Sequence, residues 1–470
     1  MTRVLVCCTV MTVVSAMAAF GQGTDRPIAP GLSLGSSAAA VSQVSGPTSD
    51  AGHYLQAGTE LSELHEIHSG YRRFWTLAMP VTVALTLLLG GASHFPLSMA
   101  VAGVLAWGLA LGIGASLLSP RGKPLLGLVC ASTIWLCPHL RDWVFGAGVI
   151  LSDGIGTAWF LAGVAFMLAA LKEPQLRRFV MAGLLLGVAA NFRYQTLMLT
   201  RPVLVAMLLV VLVLLWLRGY RARRLWVVVR HGPGVSKDAE TAWLEASLQG
   251  MVVTVLVLTL MLLPWSAYKL AMDGTATWYN ASNRLKYGRM WTPDEEQAPW
   301  AHAANAQCHA DPELCHELHA AWDESTFPKL KRLGLVTTIR HPLSVASYKL
   351  YGFSWLWWDE SWADLASDWA SLVEGLALLV LGLAGILLFG SEAWRTRRPA
   401  SLVVFVGLAV TLGHQLAMFT FLHFEWRYSM PLRALCAMAP WWALGFCYHG
   451  FGQSRLRGHG APSRATSTFR

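Results

Sequence analysis

Charge is what this chain has least of. Asp, Glu, Lys and Arg together make up 13% of its 470 residues, against about 25% in a soluble domain. Hydrophobic residues make up 54%. That balance excludes a disordered chain and an ordinary soluble enzyme. No internal repeat is evident, which speaks against a transporter built from inverted halves. Cysteine is sparse, eight in all. Cys7, Cys8, Cys130, Cys137, Cys436 and Cys447 sit in apolar runs, where a thiol behaves as a small hydrophobe. Nothing reads as a nucleic-acid module. The net charge of +9 instead fits cytoplasmic loops facing anionic lipid.

What remains is an all-α polytopic membrane protein. A spanning helix needs about 20 mostly apolar residues, and about eleven runs approach that length. They lie near residues 4–20, 74–93, 97–118, 124–138, 153–171, 178–196, 199–217, 249–271, 369–390, 399–421 and 428–448. The first is a membrane helix or a signal peptide. Basic residues at 218–230, 394–398 and in the tail mark the cytoplasmic side. The resulting plan is a first helix at 1–20, an external segment at 21–73 and a bundle at 74–272 with a basic loop at 218–246. An external loop domain at 273–367, further spans at 368–449 and a basic tail at 450–470 complete it. Both ends inside require an even number of crossings. One of the runs must therefore be re-entrant, or two must be one helix, giving about 10–12 spans.

Two external stretches carry structure of their own. Residues 50–73 read as a juxtamembrane helix with Tyr54, Leu55, Leu61 and Leu64 on one face. Residues 273–367 read as short helices over the mouth of the bundle. In that stretch Trp355, Trp357, Trp358 and Trp362 cluster as an aromatic belt would. Cys308 and Cys315 would be free to pair if the loop is external. The histidines around them, His302, His309, His316 and His319, read as a solvated loop or a zinc site.

Charges near the bilayer are costly and persist where they pair or serve a site. Asp50 reads as a helix N-cap or as a general base at the membrane surface. Asp153 reads as a cap, or as a second carboxylate orienting an acceptor or a metal. Arg193 is a snorkelling cation or the partner of an anionic ligand. Lys269 follows Pro264-Trp265, as an interface anchor or part of a basic rim for phosphate. His423, Glu425, Arg427 and Tyr428 occupy a short outer loop, where Arg427 is suited to grip a phosphate with two parallel hydrogen bonds. Glu425 and Arg427 read equally as neutralising their neighbours.

Taken in chain order, SDAGHYLQAGTEL, VILSDGIGTAWFLAGVAF, RRFVMAGLLLGVAANFRYQTL, LLPWSAYKL, TIRHPLSVASYKL and FEWRYSMPLRALCAMAP resemble the polytopic glycosyltransferases of the GT-C class. That class includes the protein O-mannosyltransferases and the lipid A aminoarabinose transferase. The resemblance implies inverting sugar transfer from a polyprenyl-phosphate donor on the extracytoplasmic face, with Asp50 as general base and Asp153 as a second catalytic acid. Arg427, Arg193 and Lys269 would bind the donor phosphate. Tyr54, Glu425 and Tyr428 are further site candidates. The acceptor would be a cell-envelope glycan, lipid or protein, in a bacterial inner membrane. No metal ligand set is assigned, though Mg or Mn would suit Asp153. A transporter or lipid flippase is the alternative; it would place its charges near the bilayer midplane.

Overall fold

The computed structural model describes residues 50–67, 71, 76–118, 152–232, 238–274, 365–419 and 429–457, with short pieces at 312–313, 316, 339–340, 342–343, 353–354 and 357–358. Side chains are described except at 50–51, 90–100, 152–153, 194, 415–419 and 448–457. The runs at 4–20 and 124–138, the Cys308–Cys315 pair and most of the 273–367 loop lie outside the described residues.

Among the described residues every element is helical. They are α1 (Asp50–Leu64), α2 (Ala78–Leu118), α3 (Ser152–Lys172), α4 (Leu176–Phe192), α5 (Tyr194–Leu217), α6 (Ala222–His231), α7 (Ala239–Asp273), α8 (Trp369–Thr396), α9 (Pro399–Phe419) and α10 (Met430–Arg457). Five of these contain stretches long and apolar enough to cross a bilayer: 101–118 of α2, α3, α5, α7 and α8. Their outward faces are apolar too. Val205, Leu209, Val213 and Trp216 line one side of α5, and Val373, Val380 and Leu387 one side of α8, all exposed. Helices apolar on both the packed and the open face belong in lipid. The protein is an integral membrane protein.

The two runs at 74–93 and 97–118 are one continuous helix. α2 has 41 residues, about 60 Å at 1.5 Å per residue, roughly twice a bilayer core. Gly90, Gly91 and Pro96 lie within it and do not end it. Two of the eleven candidate runs are thus parts of one helix.

α3 is the centre of the bundle. It packs on α2, α4 and α10, and small residues allow this: Ala158, Ala162, Ala165, Ala169 and Ala170 are all buried. Its last residue, Lys172, donates to the Gly445 carbonyl of α10 at 2.9 Å. α8 runs parallel to α10, with Gly382 against Cys436, Gly385 against Ala439 and Phe389 against Phe446. α4 packs closely on α7 because Gly183 and Gly187 have no side chain. A Cβ on Gly183 would stand 2.7 Å from the Thr254 carbonyl oxygen, and one on Gly187 2.5 Å from Met261 Cβ. Thr254 Oγ1 bridges the same seam, donating to the Phe179 carbonyl at 3.0 Å. α7 starts cleanly at Asp238, which accepts from the Thr241 amide at 3.0 Å and its hydroxyl at 2.6 Å. Those two bonds hold the Asp238 carboxyl below its usual pKa.

Trp357 and Trp358 do not form an aromatic belt. Both are buried, because Gly375 of α8 leaves room for the Trp358 indole and the Gly375 carbonyl accepts from Trp357 Nε1 at 2.9 Å. Trp355 and Trp362 lie outside the described residues.

Gly183→Val should force α4 and α7 apart, since backbone sits where the new carbons must go. The expected cost is about 1–3 kcal/mol, read as a lowered Tm in detergent. An unchanged Tm would mean the seam is looser than described.

Candidate functional site

Arg193 stands at a break in the helical path. α4 ends at Phe192 and α5 starts at Tyr194, and Arg193 between them is extended, with φ −145°. A helix end leaves carbonyls without intrahelical partners. Here Thr76 Oγ1 donates to the Phe192 carbonyl at 3.1 Å. Just before the break, Asn191 Nδ2 donates to the Met261 carbonyl of α7 at 2.9 Å. The turn is thus pinned to α7 on one side and to the segment ahead of α2 on the other.

Its side chain does not snorkel. Arg193 is 5% exposed, and its Nη1 donates to the Tyr54 hydroxyl of α1 at 2.9 Å. A charge-assisted bond of this kind contributes about 1.5–3 kcal/mol. Tyr54 is itself buried and meets Tyr71 edge-on at 6.1 Å. Tyr71 donates to the Thr76 carbonyl at 2.9 Å, which returns the chain of contacts to the break. α1 is held on α2 by a close approach at Gly58, where any Cβ would overlap Val83. Leu64, expected on the packed face, is exposed.

Two acids approach Arg193 through their helices. Asp50 is the first residue of α1, one turn before Tyr54 and on the same face by register. Asp153 is in the first turn of α3, one turn before Gly156, and a Cβ on Gly156 would lie 3.3 Å from Arg193 Cβ. For both acids the backbone is described and the side chain is not.

Lys269 reaches the same end on α7, two turns beyond the Met261 carbonyl that Asn191 holds. It is 1% exposed, and among the described residues its Nζ has no hydrogen-bond acceptor. The nearby acid that acts on it is Asp273, one turn on. Beside it Trp265 and Tyr268 stack at 5.6 Å. The Tyr268 hydroxyl accepts from the Ile67 amide at 3.0 Å, which ties α7 to the segment after α1.

Arg427, Glu425, Tyr428 and His423 lie outside the described residues. Ser429, immediately before α10, is buried. Further along, Arg433 is 2% exposed and lies over the Trp357 ring at 5.3 Å. Arg433, Tyr71, Thr76 and Tyr268 were not among the residues singled out in the sequence. For Tyr71 and Thr76 the run of Arg and aromatic residues in SGYRRFWT is a signal; Tyr268 and Arg433 lie within the segments LLPWSAYKL and FEWRYSMPLRALCAMAP without a mark of their own.

Among the described residues no three metal-ligating side chains converge. Among the described residues Arg193 is bonded by Tyr54, and Lys269 shares its end of α7 with Trp265, Tyr268 and Asp273. His316 is described only as an exposed helical residue.

No known protein family matches the chain, and no curated protein matches it. Among solved structures, it is similar to the archaeal oligosaccharyltransferase AglB from Archaeoglobus fulgidus, determined in complex with an inhibitory peptide and a dolichol-phosphate. Identity is 13% and the TM-score 0.46, over 88% of this chain and 48% of that one. The chain spans about half the length of that protein. Likeness at this level transfers neither activity nor ligand.

Tyr54→Phe keeps the ring and removes the acceptor of Arg193 Nη1. Loss of a charged bond should lower stability by about 1–3 kcal/mol, seen as a Tm decrease and faster proteolysis within α1. Wild-type behaviour in both would show that Arg193 does not anchor α1.

Proposed function

We propose that this protein is a membrane glycosyltransferase of the GT-C kind. It transfers a sugar from a polyprenyl-phosphate-linked donor to a hydroxyl-bearing acceptor at the end of the bundle that carries Arg193. One observation supports this reading above the others. The helix starts bearing Asp50 and Asp153 meet at a buried arginine, and a buried lysine without a hydrogen-bond acceptor among the described residues stands at the same end. Burying two cations at one bundle end is costly, and such charges persist in a membrane where they pair or serve a site.

In the proposed reaction the acceptor oxygen attacks the anomeric carbon of the donor sugar. The bond from that carbon to the phosphate oxygen breaks with inversion. Its electron pair leaves on the lipid phosphate, and the acceptor proton passes to the Asp50 carboxylate. Negative charge grows on the phosphate as the bond breaks. Fixed cations lower the barrier most when they are already in place and shielded from water. Arg427, Arg193 and Lys269 take that role. Arg193 is held by Tyr54, so it need not reorganise. Asp153 orients the acceptor. The alternative of a transporter or flippase would place its key charges near the bilayer midplane, whereas Arg193 stands at a helix break and Lys269 one turn from the end of α7.

The Lys and Arg distribution supports an extracytoplasmic position for this end, in what we take to be a bacterial inner membrane. The acceptor is then a cell-envelope glycan, lipid or protein. The chemistry proposed runs through the protein's own charges; Mg or Mn would enter only through Asp153.

Purified protein incubated with a panel of polyprenyl-phosphate sugars should consume one of them when an acceptor is present. Asp50→Asn should reduce that turnover by about 1000-fold or more, within the range of losing a general base and its orienting role, while membrane insertion is unchanged. Full activity would remove Asp50 from the reaction. Arg427→Ala should raise the KM for the lipid donor; a change confined to acceptor affinity would contradict its phosphate role.

A further inference from the structure

The opposite end of the bundle carries a separate surface. Gly219 and Gly232 adopt left-handed φ of 81° and 87°, which side chains rarely adopt. Those two turns lay the ten-residue helix α6 alongside the start of α7. Tyr220 at its head donates to the buried Glu245 at 2.5 Å, and Gly232 at its tail lies against Gln249. Residues 245–249 mark the level at which α7 becomes apolar, from Gly250 onward. α6 therefore sits at the height where lipid headgroups begin.

Its faces divide as an interfacial helix divides. Val228 is buried, and Leu225 and Val229 pack on the core. Trp226 borders that face and is 65% exposed. Arg223 and Arg230 flank Trp226 at i−3 and i+4, the positions that adjoin it on a helix. Arg221, Arg223, Arg230 and His231 are all exposed. Among the described residues none of these three arginines forms an ion pair, whereas Arg218 is held by Glu240 and Arg395 by Glu392. Two more exposed tryptophans stand next to arginines at helix ends here. They are Trp216 at the end of α5 and Trp394 at the end of α8, beside Arg395, Arg397 and Arg398.

We propose that α6, with Arg221 at its start and Arg223 and Arg230 beside Trp226, is a docking surface for the headgroups of anionic phospholipid in the adjoining leaflet. Unpaired exposed guanidiniums beside an indole match a phosphate above an acyl chain, the chemistry of a headgroup boundary. This surface is independent of the sugar-transfer reading, because it uses none of those residues and lies at the other end.

Native mass spectrometry of the full-length protein in detergent tests it, with phosphatidylglycerol and phosphatidylcholine supplied in equal amounts. The wild type should retain phosphatidylglycerol in preference, by about tenfold or more for three interfacial arginines. R221Q/R223Q/R230Q should lose that preference, and R221K/R223K/R230K should keep it. Comparable Tm values across the three proteins would show that each is folded. The proposal fails if the wild type has no preference, or if the glutamine variant keeps it. It fails equally if soluble glycerol phosphate at millimolar concentration displaces the lipid, which would define a small-anion site. Should the glutamine variant not fold, Trp226→Ser in the wild-type background must weaken retention of both lipids, and unchanged retention would overturn the proposal.

Discussion

A guanidinium buried where two membrane helices part organises one end of this protein. Arg193 can sit there because three demands are met together. Its hydroxyl acceptor comes from Tyr54 of α1, the broken helix end is satisfied by Thr76, and the approach of α3 is opened by Gly156. Loss of the Tyr54 or Thr76 hydroxyl leaves a charged group or a carbonyl short of a partner, at a cost of about 1–3 kcal/mol, and a side chain at Gly156 would crowd Arg193. That constraint also decides where the acids stand. Asp50 and Asp153 occupy the first turns of the two helices that Arg193 draws together.

Lys269 obeys a different rule. Arg193 has a protein acceptor, whereas among the described residues the Lys269 ammonium has none although it is almost wholly covered. A buried charge of this kind lowers stability and is retained where it does something else. An anionic ligand would supply the missing acceptor. In the proposed function both cations face the phosphate, Arg193 already fixed by Tyr54 and Lys269 gaining its acceptor from the ligand. At the far end of the bundle the balance is reversed. There most arginines are exposed, and the buried acids are answered within the protein, Glu245 by Tyr220 and Glu392 by Arg395.

The helical membrane architecture was legible because twenty apolar residues in a row leave few alternatives. Boundaries were less so. Gly90, Gly91 and Pro96 read as a break between two spans, yet α2 continues through them; local propensity yields to packing in a bundle. The tryptophans before α8 read as an interface belt, whereas Trp357 and Trp358 are core residues. A sequence shows that an indole is amphipathic but not that Gly375 makes a slot for it. Arg193 and Tyr54 were each singled out, but not as partners. They are 139 residues apart, and no local pattern records a contact of that separation. Arg433 went unremarked because an arginine one turn into an apolar helix looks like a cap until its aromatic partner is seen.

The central claim is that the cations at this end hold the phosphate of a lipid-linked ligand. Titration of purified protein with a short-chain polyprenyl phosphate, followed by phosphorus NMR, addresses it most directly when wild type is compared with Lys269→Met. Methionine matches the lysine stem without the charge. The account predicts that phosphate affinity falls by about tenfold or more, the loss of one charge-assisted contact, while Tm stays level or rises. Undiminished affinity together with a lowered Tm would contradict it, and would make Lys269 a structural residue.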